Sequence, residues 1–155
     1  MIQRLQSLYL LLTTILSGLF LTGDFIKFIN PGADEVRARF DGIFRMTAEK
    51  GFTQVEPMNP VCILSLMIPV LSLALIFFFK KRRIQRQLTI ILLVLEIILI
   101  AVVVYYLLSL NQGDRHSPVI GFFTFIPLLT IIFTILAYRG IRKDDNLVKS
   151  YERMR

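Results

Sequence analysis

Hydrophobic positions in this chain gather into four long runs instead of alternating with polar ones, and the pattern predicts four membrane-spanning helices over residues 2–22, 61–79, 88–110 and 119–138. A helix rising about 1.5 Å per residue needs about 20 apolar residues to cross a hydrocarbon core of about 30 Å. The unbroken part of the first run, Leu8 to Leu21, is short for a span and suffices only if the helix starts near Ile2 and Gln3, Arg4 and Gln6 snorkel to the interface. Pro69 and Pro127 fall inside the second and fourth runs and predict kinks. Thr14, Gly18 and Thr22, four residues apart, predict a small-residue face for close packing within the chain.

Residues 23–60 break the pattern. They carry near-balanced charge and are too long for an ordinary connection. Val36 to Met46 partly alternates apolar and polar residues, Thr47-Ala48-Glu49-Lys50-Gly51 supplies turn chemistry, and Phe52-Thr53-Gln54-Val55 resumes an extended pattern. Asn30-Pro31-Gly32 and Pro57 to Pro60 are the expected hinges. The expected fold is therefore an all-α integral membrane protein, a single domain over 1–155. It has four transmembrane helices and a small extracytoplasmic β-hairpin or three-stranded cap between the first and second.

Charge orients this arrangement. The net charge of +7 would suggest nucleic acid in a soluble protein. Here 55 % of the 155 residues are hydrophobic, the mean hydropathy is +0.65, and the excess lies beside the apolar runs. Lys80, Lys81, Arg82, Arg83 and Arg86 crowd the 80–87 connector, Arg4 precedes the first run, and six basic residues lie in the 139–155 tail. By the excess of Lys and Arg on cytoplasmic loops, both termini and that connector are expected in the cytoplasm, against anionic lipid headgroups, with no nucleic-acid partner. The tail from Asp144 is expected to form an amphipathic surface helix. A cleaved signal peptide is not expected, since Ser17 to Asp24 lacks the paired small residues of a cleavage site. The one cysteine, Cys62, rules out an intrachain disulfide or a multi-thiolate metal site.

Glu96 is the residue in the spans that demands an explanation, because an ionised carboxylate facing lipid costs a few kcal/mol. Counting inward from the cytoplasmic ends places it level with Thr13, Thr14, Ser72, Thr130 and Thr134, which predicts one polar layer between the helices. With no second intramembrane charge beside it, the layer reads first as an interhelical hydrogen bond and second as a proton- or ion-binding site. His116 stands alone in a polar loop, without a partner at metal-ligand spacing. The Phe77–Phe79 and Phe122–Phe125 groups read as lipid-facing or packed. We read no catalytic, metal or cofactor motif: disulfide chemistry needs paired cysteines and intramembrane aspartyl proteolysis needs two facing carboxylates.

The opening Met1-Ile2-Gln3-Arg4-Leu5-Gln6-Ser7-Leu8-Tyr9-Leu10-Leu11-Leu12, the β-like insert, and the closing Arg142-Lys143-Asp144-Asp145-Asn146-Leu147-Val148-Lys149-Ser150 resemble an uncharacterised four-span inner-membrane family of Bacteroidota, domain of unknown function 4293. The resemblance covers essentially the whole chain and implies a four-helix fold in a Gram-negative inner membrane, with no activity to carry over. The expected function is that of a non-enzymatic interaction, assembly or accessory-subunit protein with a protein partner in the membrane. The alternative is a small proton-coupled transporter using Glu96.

Overall fold

A computed structural model describes residues 2–29, 35–47, 51–113 and 117–153, with side chains placed at 5–27, 35–46, 51–79, 81–109 and 121–145. The expected hinge at Asn30-Pro31-Gly32, the turn at 48–50 and His116 lie outside the described residues, as do the side chains of Lys80 and of everything after Asp145. The chain runs α1 (Ile2–Phe20), β1 (Ile26–Ile29), β2 (Glu35–Arg39), β3 (Gly42–Thr47), β4 (Gly51–Pro57), α2 (Asn59–Phe77), α3 (Arg82–Gly113), β5 (Ser117–Ile120) and α4 (Ile126–Arg153).

The four helices form a ring in which each packs against its chain neighbour and α1 closes against α4. Buried positions recur at alternating steps of four and three, the spacing that keeps one seam of a helix facing its neighbours. They are Gln6, Leu10, Thr13, Ser17 and Phe20 on α1; Val61, Ser65, Ile68, Ser72 and Leu75 on α2; and Gln85, Thr89, Leu92, Glu96, Leu99 and Val103 on α3. These seams are rich in polar residues, whereas the outward faces carry Leu11, Ile15, Ile63, Val70, Ile91, Val94, Ile98, Leu128 and Ile132. Soluble monomers rarely expose so continuous an apolar surface. Three helical stretches are long and apolar enough to cross a membrane, within 59–77, 82–109 and 122–145, and the apolar part of α1, Leu5–Phe20, is shorter. The molecule is thus mostly helical and compatible with a membrane protein.

Several boundaries differ from the sequence reading. The fourth helix starts at Ile126 and not at 119, because 117–120 is strand and Phe122–Phe125 a 3₁₀ turn. Pro127 consequently sits in the first turn of α4, where a missing N–H costs no helical hydrogen bond, and it is not a mid-helix kink. α2 continues through Pro69. The 80–87 connector is mostly helical: a 3₁₀ turn ends at Lys80, and α3 begins at Arg82. Residues 139–153 are the continuation of α4, not a separate surface helix. Gly18 is not a close packing point either, since a Cβ built there meets nothing within 4 Å.

The cap is a five-stranded antiparallel sheet of order β4-β3-β2-β1-β5, larger than the hairpin or three strands expected. Its fifth strand comes from between α3 and α4 and pairs Ile26 with Ile120 and Ile29 with Ser117. Pro118 is tolerated there because β5 is an edge strand. One face of the sheet, with Ile26, Val36, Ala38 and Ile43, joins Phe20, Phe25, Met58 and Ile126 in the core. Phe20 and Phe25 stack with ring centroids 5.6 Å apart. The Phe25 carbonyl accepts from Gly121 N–H at 3.3 Å and from the Thr124 hydroxyl, fastening the start of α4 to the sheet.

Candidate functional site

Glu96 lies at the centre of the ring with 1 % of its surface exposed. Its Oε1 accepts a 2.9 Å hydrogen bond from the Thr134 hydroxyl, which joins α3 to α4. Its Oε2 is buried and has no hydrogen-bond partner among the described residues. Thr130, one turn along α4, lies beside the same carboxyl but donates its hydrogen to Pro127 O at 2.8 Å.

The sequence-predicted layer is therefore only partly joined. Glu96, Thr130 and Thr134 meet on the α3–α4 side. Thr14 and Ser72 meet separately across α1 and α2, with their hydroxyls 2.8 Å apart. Thr13 is fully buried but bonds back to Tyr9 O at 3.1 Å. Two hydroxyls absent from the sequence reading, Ser17 and Ser65, lie on the same buried seams. With Thr130, they line a small cavity of about 10 Å³ that all four helices build, its other walls being Phe20, Ile68, Leu99, Ile126 and Pro127. The signal for both was the spacing of buried positions, which places Ser17 one step from Thr13 and Ser65 two steps from Ser72.

The outward face of the sheet carries charge and aromatic surface. Arg37 donates from Nε and Nη2 to the two oxygens of Glu35, each at 3.0 Å. Its guanidinium also lies 4.5 Å over the Phe52 ring. That hydrogen bonding holds the Glu35 carboxyl below the ordinary carboxylate range and raises the pKa of Arg37. Asp24 takes Arg39 Nε at 3.0 Å and Arg37 Nη1 at 3.5 Å. Asp24, Arg37, Arg39, Phe44 and Phe52 surround an open recess of about 200 Å³. Beside it, all seven residues of the edge strand β4 are exposed, including Phe52 and Val55. The β3–β4 register shifts between Ile43 and Phe44, leaving Val55 as the extra residue of a bulge.

At the opposite end of the bundle, polar groups missed by the sequence reading clamp the helices together. Gln85, buried, donates to Leu75 O at 3.1 Å, a second hydrogen bond to a carbonyl in the last turn of α2 that already accepts Phe78 N–H. Gln6 of α1 donates to Asp144 at 2.8 Å, and Arg86 of α3 to Asp145 at 2.6 Å. Arg82 reaches Asp144 O at 3.4 Å. Of the five expected topology anchors, Arg82 and Arg86 thus turn toward α4, Lys81 and Arg83 are exposed, and the Lys80 side chain is outside the described residues. Phe77, Phe78, Phe79, Phe122 and Phe125 are exposed, while Phe123 covers Gly23. Among the described residues no three His, Cys, Asp or Glu side chains gather as a metal site.

A family model described as Domain of unknown function (DUF4293) matches residues 2–154. No curated protein matches the chain.

Proposed function

The chain belongs to the DUF4293 family, and from that premise we propose a non-enzymatic interaction, assembly or accessory-subunit protein. It spans a Gram-negative inner membrane, in Bacteroidota as the resemblance implies, four times. Both termini are cytoplasmic and the sheet lies on the opposite side. The apolar outer faces of the helices support insertion, with α1 spanning by snorkelling of its N-terminal polar residues. The excess of Lys and Arg at the end away from the sheet supports the orientation, and Lys81, Arg83, Arg139, Arg142 and Lys143 are exposed cations there that would meet anionic headgroups.

The observation that carries the interaction reading is β4, a seven-residue edge strand exposed along its whole length. Such an edge offers unpaired backbone donors and acceptors, and an extended segment of another protein can add to it as a further strand. Phe52 and Val55 supply apolar contacts beside that edge. Native capture in mild detergent tests the reading. A stoichiometric partner retained by the parent and lost from Val55→Lys and Thr53→Lys, both folded, supports it; a particle that emerges alone in every case overturns it.

The unpartnered Oε2 of Glu96 favours one second reading, a small proton-coupled transporter. Glu96→Gln separates the two. An assembly protein keeps its partner and abundance, whereas a transporter keeps its abundance and loses transport.

A further inference from the structure

We propose that the junction between sheet and bundle holds the phosphodiester headgroup of an anionic glycerophospholipid from the leaflet on the sheet side of the membrane. The inference rests on the reading that the helices span a bilayer, and not on a partner at β4. Its first ground is an open recess of about 350 Å³ walled by three parts of the chain. Thr22 and Gly23 come from the end of α1, Lys27 and Arg39 from β1 and β2, and Gly121 and Phe122 from the turn before α4. Binding clefts begin at about 300 Å³.

Its second ground is unspent charge. Lys27, Arg37 and Arg39 converge on Asp24, and Arg37 also pairs with Glu35, so three cations meet two carboxylates and one positive charge is in excess. Arg37 is committed, with Nε and Nη2 on Glu35 and Nη1 toward Asp24. The other two are not. Arg39 donates to Asp24 through Nε, and among the described residues its terminal nitrogens have no hydrogen-bond acceptor. Lys27 Nζ stays 3.9 Å from Asp24, beyond hydrogen-bond distance. Lys27 lies opposite Arg37 in the β1–β2 register and so diagonal to Arg39 on one face, within reach of long side chains. Their side chains are 40 % and 47 % exposed against 12 % for Asp24, so the recess presents chiefly the two cations. Phosphate oxygens accept charge-assisted hydrogen bonds from such a pair.

Depth selects a lipid over a soluble phosphate. The N–H and hydroxyl of Thr22 both bond Leu19 O, which sets Leu19 directly beneath the recess on α1. Phe125 follows Phe122 by three residues and shares its side of the 3₁₀ turn. Leu19, Phe122 and Phe125 are all exposed, and Ile15 and Leu129 continue that apolar surface along α1 and α4. A free phosphate would use the cations alone, whereas a glycerophospholipid also lays its acyl chains on the surface below. Net charge selects the headgroup: an anionic lipid neutralises the excess charge, while phosphatidylcholine brings its own cation and leaves it.

The test uses the full-length chain with Phe125→Trp, reconstituted in bilayers of phosphatidylcholine and phosphatidylglycerol. The native sequence has no tryptophan, so this one reports on lipid beside the recess. Its fluorescence is read with the acyl chains of one lipid or the other brominated, which quenches at short range. The expected result is a preference for phosphatidylglycerol of about fivefold, the scale of one surface cation acting on one anionic lipid. Lys27→Gln, which breaks no hydrogen bond, should bring the preference to about one, since it removes the excess charge. Lys81→Gln with Arg83→Gln, at the other end of the bundle, should leave it unchanged. Equal quenching by the two lipids, or a preference that survives Lys27→Gln, overturns the proposal. A preference present in chloride and lost in inorganic phosphate at equal ionic strength assigns the site to soluble phosphate and also overturns it. No quenching by either brominated lipid would instead remove the spanning reading, and the lipid site with it.

Discussion

Arg86 donates to Asp145 across 2.6 Å, tying the first turns of α3 to the extension of α4. Both side chains are largely shielded, at 28 % and 12 % exposure, so the pair is not a solvated surface contact. Asp145→Asn keeps the shape and removes the charge, and is expected to cost about 1.5–3 kcal/mol, the range for a hydrogen bond to a charged group. Thermal or denaturant unfolding in detergent measures it. The reversed pair Arg86→Asp with Asp145→Arg should recover part of the loss, and no recovery would assign the effect to packing alone.

The same contact shows what was legible in the sequence and what was not. Four helices and an extended insert follow from one-dimensional pattern, because apolar run length and local alternation are properties of neighbours. Depth counting also brought Glu96 level with Thr130 and Thr134, which the α3–α4 packing places together. It could not set rotation about each helix axis, so Thr13, Thr14 and Ser72 went into one layer although all three bond elsewhere, Thr13 to Tyr9 O and Thr14 with Ser72. Asp144 and Asp145 read as the start of an amphipathic surface helix because nothing local says that α4 continues past the apolar run to meet Gln6 and Arg86. The strand Ser117–Ile120 was read as loop and span because its partner, β1, lies about 90 residues earlier.

Thr134 is the donor to Glu96 Oε1, so Thr134→Val removes that hydroxyl at nearly constant volume and takes the α3–α4 hydrogen bond away. The expected loss is about 1 kcal/mol, within the range measured for hydrogen bonds between membrane helices. Thr134→Ser should retain most of it. The check is a double-mutant cycle with Glu96→Gln, in which non-additivity reports the pair; strictly additive losses would separate the two residues.

Glu35 gives the sheet a pH response of known sign. Hydrogen bonding to Arg37 lowers its folded pKa. Its contribution is therefore whole above the unfolded value of about 4.3 and is lost as pH falls through the lower folded value. Both side chains are partly solvated, so the effect should be a few tenths of a kcal/mol. Amide exchange of β2, corrected for intrinsic rates, should show protection falling toward acid pH in the parent. In Glu35→Gln it should already be low at neutral pH and stay nearly flat.

Two glycines should respond oppositely to the same substitution. A Cβ at Gly140 would stand 2.7 Å from Gln6 Cγ, so α4 and α1 approach there closely enough to leave no room for alanine. At Gly18 a Cβ meets nothing within 4 Å. Alanine favours a helix over glycine by about 0.8–1 kcal/mol, and at Gly18 only this gain operates. At Gly140 the overlap opposes it with about 1–3 kcal/mol of overpacking cost. Gly18→Ala is thus expected to raise the thermal midpoint and Gly140→Ala to lower it. Gln6→Ala added to Gly140→Ala removes the overlapping atom and also gives up the Gln6–Asp144 hydrogen bond. The double variant should therefore be more stable than the sum of the two single losses predicts while remaining below the parent. A Gly140→Ala chain as stable as the parent would mean that α1 can withdraw from α4 at no cost, and the clamp at that end of the bundle would not be rigid.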